Sequence, residues 1–331
     1  MQRRDGAWDC LVIGAGVTGL LAARILKDRG KRTLVLEKST GVGGRMATRR
    51  IDEAVFDHGA QFFTVQDCSF EAWARLWREQ GVITTWSMGF ASADGRLQPD
   101  AIPRFRGAPG MTSVPKWLAS GLDICLGDAA VGVSRDEGVW RVDTEDGAVH
   151  RAGALILTAP VPQSLALFAA SPGLLPQSAR ETLSAIEYDP CFAVLAILDG
   201  PSGLPAPGGL RAPTESIAWM ADNHLKGVSP HASALTIHAG PHFTREYLES
   251  DREFVAKVLL GEALPWLRSP VRQAHVHCWR YSQPLHTHPE RFLGIAEPAP
   301  LLFAGDAFGG PRIEGAALSG LAAADYVLGA E

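Results

Sequence analysis

Gly14, Gly16 and Gly19 form a GxGxxG turn, set between the apolar run Cys10 to Ile13 and the helix-forming run Leu20 to Arg29. Strand, tight turn and helix place the positive end of a helix against a pyrophosphate. Gly14 lets the chain turn sharply, Gly16 lets the backbone approach the phosphates, and Gly19 lets the helix lie close to the strand. Ala15, Val17 and Thr18 complete the turn. A second strand, Thr33 to Leu36, ends on Glu37 beside Lys38, 18 residues after Gly19. A carboxylate there can accept hydrogen bonds from the hydroxyls of an adenosine ribose. The ligand expected from these residues is a dinucleotide.

Gly43-Gly44-Arg45-Met46 follows. Two glycines open the backbone, and an arginine can bridge phosphate groups with its planar fork. A GxGxxG turn, a ribose glutamate and a GGR loop in this order resemble the flavin-dependent amine oxidase superfamily, which implies FAD, bound non-covalently. The stretch GGRMATRR, continued by FDHGAQFF at Phe56 to Phe63, is similar to the renalase family and its bacterial members. That resemblance implies that Gln61 and Phe62 lie nearest the flavin ring; a core strand with one buried amide is the alternative. Near the C-terminus, Leu301 to Asp306 reads as a last strand followed by a glycine-led helix to Leu328. Asp306 can hydrogen-bond the ribityl or pyrophosphate region. Ile313, Gly315 and Ala316 put a helix N-terminus at the flavin pyrimidine, where reduced flavin carries negative charge.

The elements that must position these residues imply an α/β fold. A Rossmann-type FAD-binding domain, with a parallel sheet and a β-meander, is joined to an interleaved mixed α+β substrate domain. Ser69 to Gln80 is an amphipathic helix, with Phe70, Trp73, Ala74 and Trp77 at helical spacing. Ile83 to Phe90 and Arg96-Leu97 read as a hairpin around Asp94-Gly95. A helix is expected over Val114 to Ser120. The meander is expected from Leu122 to Leu126, Ala129 to Ser134, Val139 to Thr144 and Ala148 to Arg151, with turns at Glu137-Gly138 and Asp146-Gly147. The resemblance makes Ala130 the candidate adenine contact. Ala154 to Leu157 reads as a buried parallel strand. Beyond it, helices are expected over Val161 to Ala170, Ser178 to Ile186 and Thr244 to Leu264. Strands are expected over Phe192 to Leu198, Ser216 to Met220, Ala234 to Ala239 and Val271 to Trp279, with Asp199 to Pro213 as a surface loop. The FAD-binding domain is assigned 1–68, 108–160 and 285–331, and the substrate domain 69–107 and 161–284.

The second half is rich in histidine. His275 and His277 share a strand face, but no carboxylate or cysteine stands at a ligand spacing, so no metal is expected. His238 lies in an apolar strand and matches a renalase histidine; a core histidine and a substrate contact are both open. Trp279 to Gln283 resembles a renalase segment near the active site, which leaves Arg280 and Tyr281 as site wall or ion pair. Trp219 and Asn223 complete the candidate wall.

The 331 residues carry a net charge of −5, with 46% hydrophobic and 20% charged residues. That balance describes a soluble globular protein and gives no electrostatic reason to expect nucleic acid. Five scattered cysteines form no CxxC and fit a reducing cytoplasm. Arg3-Arg4 ahead of Leu11 to Ala23 mimics a secretion signal, but the glycine turn accounts for the same residues better. No apolar run reaches membrane-spanning length, and a monomer or weak homodimer is expected.

The renalase resemblance spans Asp9 to Tyr326. It implies oxidation of 2- or 6-dihydro isomers of NAD(P)H to NAD(P)+, with hydride passing to flavin N5 and O2 reoxidising the flavin to give hydrogen peroxide. Loss of hydride restores an aromatic ring, so no general base is required. The alternatives are an amine oxidase or desaturase on the same fold, or a non-catalytic flavin redox sensor. An amine oxidase would want a lysine near N5 and an aromatic cage. Lys226 and Lys257 are the lysines of the second half, and neither sits in a matching motif.

Overall fold

A computed structural model describes residues 7–92, 96–136 and 138–329. The expected turns at Asp94-Gly95 and Glu137 lie outside the described residues. The chain divides into two compact units, residues 1–44, 115–187 and 284–331 in one, and 45–114 and 188–283 in the other.

The first unit is built on an eight-stranded sheet. Trp8–Ile13 lies at its centre, parallel to Thr33–Glu37 on one side and to Val149–Leu157 on the other. Asp123–Leu126 and Leu301–Ala304 extend the parallel order, and Phe292–Ile295 closes one edge antiparallel. Thr33–Glu37 and Leu301–Ala304 are buried along their whole length, which explains why both read as continuous apolar runs. Helices Val17–Asp28 and Arg312–Gly329 pack together, where the Thr18 hydroxyl donates to the Ala316 carbonyl at 2.8 Å.

One expectation is corrected here. Ala148 to Arg151 and Ala154 to Leu157 are a single strand, Val149–Leu157. Its first half pairs antiparallel with Val139–Thr144, and its second half runs parallel to Trp8–Ile13. Gly153 looks like a break in the sequence, yet it marks only the change of partner.

The second unit holds a seven-stranded sheet in the order Val271–Pro284, Tyr188–Leu198, Ser233–Ala239, Ile217–Asp222, Gly209–Arg211, Ile83–Ala91, Leu97–Gly107. Alternation sorts its residues onto two faces. Val194, Leu210, Met220 and Ile237 join one apolar cluster with Phe243, Val255 and Leu259 from two helices. Ala193, Leu195 and Ile197 pack instead with Ala54 and Phe56 of the small strand pair Thr48–Ile51 and Ala54–Asp57. Arg211, Trp219, His238 and Ala193 are successive partners in one row across four strands, so their side chains share that second face. The helix expected over Thr244 to Leu264 is two helices, Pro241–Glu246 and Arg252–Ala263. The Asp251 carboxylate caps the second by accepting from the amides of Glu253 and Phe254. The loop expected over Asp199 to Pro213 contributes the short strand Gly209–Arg211.

Candidate functional site

The nucleotide cradle of the first unit is built from Trp8–Ile13, its glycine turn and helix Val17–Asp28. Gly14 has φ +109°, and a Cβ there would stand 2.6 Å from Thr158 Oγ1. A Cβ on Gly19 would stand 2.1 Å from the Gly14 carbonyl oxygen. Around Gly16, by contrast, an added Cβ meets nothing within 4 Å. Gly16 is the helix N-cap and supplies no side-chain cap, so the first-turn amides take no side-chain acceptor from it. A phosphate pair fits there. The Thr18 hydroxyl is engaged by the Ala316 carbonyl, so only its amide could serve a phosphate.

Glu37 is buried. Its Oε2 accepts the Ala15 amide and its Oε1 the Ser39 amide, each at 2.8 Å. Two backbone bonds hold the carboxylate still, and each oxygen retains acceptor capacity for a ribose hydroxyl. Lys38 is exposed and donates to Gln163 Oε1 at 3.3 Å. The Gly43 amide bonds the Ala15 carbonyl at 2.8 Å, tying the second glycine loop to the first. Ala130 lies at an irregularity of the meander, between Ala130 and Gly132. Asp306 is buried after the strand Leu301–Ala304, where the Gly305 amide bonds Ser319 Oγ. Ile313, Gly315 and Ala316 open the last helix and are buried. Amides without a side-chain cap, a pinned carboxylate and a glycine lining fit the nucleotide half of FAD.

In the second unit the Asp57–Phe62 bend is the hub. Gly59 is required there, since a Cβ would stand 2.1 Å from the Arg45 carbonyl oxygen. That carbonyl accepts the Ala60 amide at 2.8 Å, and Arg45 Nη1 donates to the Ser282 carbonyl at 3.0 Å. Buried Met46 presents its carbonyl to the Thr112 hydroxyl. Asn223, fully buried, accepts the Asp57 amide through Oδ1 and donates through Nδ2 to Thr236 Oγ1. His238 Nε2 lies 3.0 Å from the His58 carbonyl, so that nitrogen carries the proton. Trp279 Nε1 donates to the same carbonyl at 2.9 Å. Burial lowers both His58 and His238 to about 4, so both imidazoles are neutral at ordinary pH. Asn223 and His238 therefore hold the backbone of the bend.

Gln61 donates through Nε2 to the carbonyls of Asp57 and Gly59, and its Oε1 accepts from Lys226 Nζ at 3.2 Å. Lys226 is fully buried and forms an ion pair with Asp57 Oδ2 at 2.8 Å. Asp57 Oδ1 accepts from the Met111 amide and the Thr48 hydroxyl. Desolvation pulls the Lys226 ammonium below its ordinary pKa, against the opposing charge of Asp57.

Phe62 and Trp219 meet at 5.7 Å between ring centroids and form one cluster with Trp86 and Phe90. The Lys226 ammonium lies 4.7 Å from the Trp86 centroid. The exposed Arg211 guanidinium lies 5.8–6.0 Å from Phe62, Phe90 and Trp219. Trp219 Nε1 is buried without a partner among the described residues. Arg280 stands apart, exposed and paired with Glu249 through both carboxylate oxygens, at 2.9 and 3.3 Å. The Tyr281 ring packs edge-on against Tyr188, and its carbonyl faces Arg45. Among the described residues no group of three or more His, Cys, Asp or Glu is placed to hold a metal.

Sequence reasoning weighed Lys226 and set it aside for want of a matching motif, and passed over Asp57, Trp86 and Phe90. The available signal was Asp57 itself, a carboxylate inside the apolar strand AVFD, which requires a cation once buried.

Two family models match the chain. The first, an NAD(P)-binding Rossmann-like domain, covers residues 12–79, and the second, a flavin containing amine oxidoreductase, covers residues 67–328. The chain belongs to the flavin containing amine oxidoreductase family. Its cofactor is FAD. Renalase from Mus musculus is 25% identical over 292 residues, which is 82% of this chain and 84% of that protein. This family member is accordingly renalase-like. The putative protoporphyrinogen oxidase from Exiguobacterium sp. 255-15 shares its fold with a TM-score of 0.74 at 14% identity, covering 99% of this chain and 100% of that one. An A394C mutant of putrescine oxidase does so with a TM-score of 0.73 at 16% identity, covering 98% and 100%. No helix among the described residues is long and apolar enough to cross a membrane.

Proposed function

We propose that this flavoenzyme oxidises 2- or 6-dihydro isomers of NAD(P)H to NAD(P)+. The observation that carries the reading is the charge on the aromatic wall of Phe62, Trp86, Phe90 and Trp219. Arg211 already lies over three of its rings, while the Lys226 ammonium over the fourth is charge-paired with Asp57, so the positive charge facing a ligand is that of Arg211. A protonated amine approaching those faces meets like charge, whereas a neutral dihydropyridine carrying anionic phosphates is attracted. The mouse relative is named renalase and is similar along most of both chains.

FAD, when bound, would supply the hydride-accepting and O2-reducing chemistry, with hydrogen peroxide as the reduced product. The first-turn amides after Gly16, the Glu37 carboxylate, Asp306 and the N-terminus of helix Arg312–Gly329 hold and tune that cofactor. Phe62 and Trp219 wall the dihydropyridine, and Trp219 Nε1 offers its proton to a carbonyl or phosphate oxygen. Loss of hydride restores ring aromaticity, so no side chain needs to accept a proton. Neutral His58 and His238 accord with this, acting through the bend they pin. By function, 1–68, 108–160 and 285–331 are assigned to the cofactor and 69–107 and 161–284 to the substrate, a division that differs from backbone packing at 45–68, 108–114, 161–187 and 284. The protein acts in the cytoplasm as a monomer or weak homodimer.

Lys226 favours a second reading, since a buried lysine beside an aromatic cluster also suits an amine oxidase. Anaerobic mixing separates the two. Bleaching of the flavin by 2- or 6-dihydro-NAD supports the first reading. Bleaching by primary amines, and not by those isomers, overturns it.

A further inference from the structure

We propose that Lys226 is a positioning residue whose ammonium locks the Gln61 amide and thereby sets the Gln61–Phe62 wall. The inference rests on the reading that this wall borders the flavin. An ammonium can only donate, and the carbonyls of Asp57 and Gly59 can only accept. With Lys226 Nζ at 3.2 Å from Oε1 and Nε2 at 2.6 and 3.1 Å from the two carbonyls, the orientation of the amide is forced. The two carbonyls already turn Nε2 toward them; the lysine supplies the donor that anchors Oε1 on the opposite side, and without it that oxygen loses this partner. Lys226 is itself held in place, since its amide bonds the Asp222 carbonyl at 2.9 Å. A buried ion pair gains little stability over an apolar pair of similar volume, so the pair with Asp57 does not by itself explain a lysine here. The third contact, on Gln61, does.

The test compares Lys226→Met, Gln61→Leu and the double variant Asp57→Asn with Lys226→Met. Each is read by melting temperature, by the visible absorption band of bound FAD and by anaerobic reduction with 6-dihydro-NAD. Lys226→Met is expected to bind FAD, shift its band and slow reduction about tenfold, the worth of one buried hydrogen bond. Gln61→Leu should reproduce the band shift. The double variant should regain melting temperature, because no buried charge is left alone, while the shifted band and slow reduction persist. If band and rate recover together with stability, the lysine serves only the ion pair and the inference is overturned. A shift in Gln61→Leu without one in Lys226→Met also overturns it, and leaves the reading of the wall intact. If neither variant moves the band, the reading of the wall falls and the inference with it. Should Lys226→Met fail to fold, the double variant carries the comparison.

Discussion

At Gly16, folding and cofactor binding come apart. A side chain there meets nothing in the protein, whereas one at Gly19 collides with the Gly14 carbonyl. Gly16→Val is therefore expected to fold and melt like the wild type without FAD, and to lose FAD binding when titrated. Retained binding would remove the pyrophosphate from this turn. Arg45 is engaged with the carbonyls of Tyr281 and Ser282 while standing in the glycine loop. Arg45→Ala should weaken FAD by about 1.5–3 kcal/mol, the range for a hydrogen bond to a charged group, as measured by fluorescence titration. An unchanged affinity would leave Arg45 with a structural role alone. Gly16 was legible because it acts through its own backbone, and Arg45 because it stands in a local glycine loop, although its carbonyl partners Tyr281 and Ser282 are distant in the chain. Lys226 was not, since its partner Gln61 lies 165 positions away. Its flanking residues say nothing about burial.

The Asp57–Phe62 bend is the element on which the second unit turns, and His58 within it and His238 bonded to it give it a pH response. His58 and His238 titrate at about 4 in the folded protein, below the usual 6.5 of imidazole. Between those values the unfolded chain binds more protons than the folded one. Their contribution to stability is therefore full above about pH 6.5 and declines as pH falls toward 4. Denaturant unfolding across that window should show the decline, and His238→Gln, whose Nε2 can still donate to the His58 carbonyl, should reduce it. An identical slope in the variant would contradict the burial argument. The misread elements share a physical cause. Gly153 changes the partner of a strand without ending it, and Asp251 starts a helix inside a stretch whose composition is helical throughout. Both depend on tertiary pairing, which local propensity does not register.

At the scale of the whole molecule, the first unit carries the glycine turn, Glu37 and Asp306, and the second carries the aromatic cluster of Phe62, Trp86, Phe90 and Trp219. The FAD fold was readable because its glycines and carboxylates recur in fixed order along one strand-turn-helix unit. The wall was only partly readable. Phe62 and Trp219 could be named, but Trp86 and Phe90 stand on the strand Ile83–Ala91, Arg211 on Gly209–Arg211 and Lys226 in the turn after Ile217–Asp222, far apart in the chain. The charge on that wall predicts a substrate preference, and Arg211→Ala is expected to raise KM for dihydro-NAD isomers without abolishing flavin reduction at saturation. A fall in the saturating rate with unchanged KM would place Arg211 elsewhere in the mechanism. The central claim concerns the reaction itself. Under air, purified protein supplied with a 6-dihydro-NAD isomer should consume O2 and form NAD+ and hydrogen peroxide in equal amounts. Hydrogen peroxide formed from a primary amine, with the dihydro isomer left intact, would contradict it.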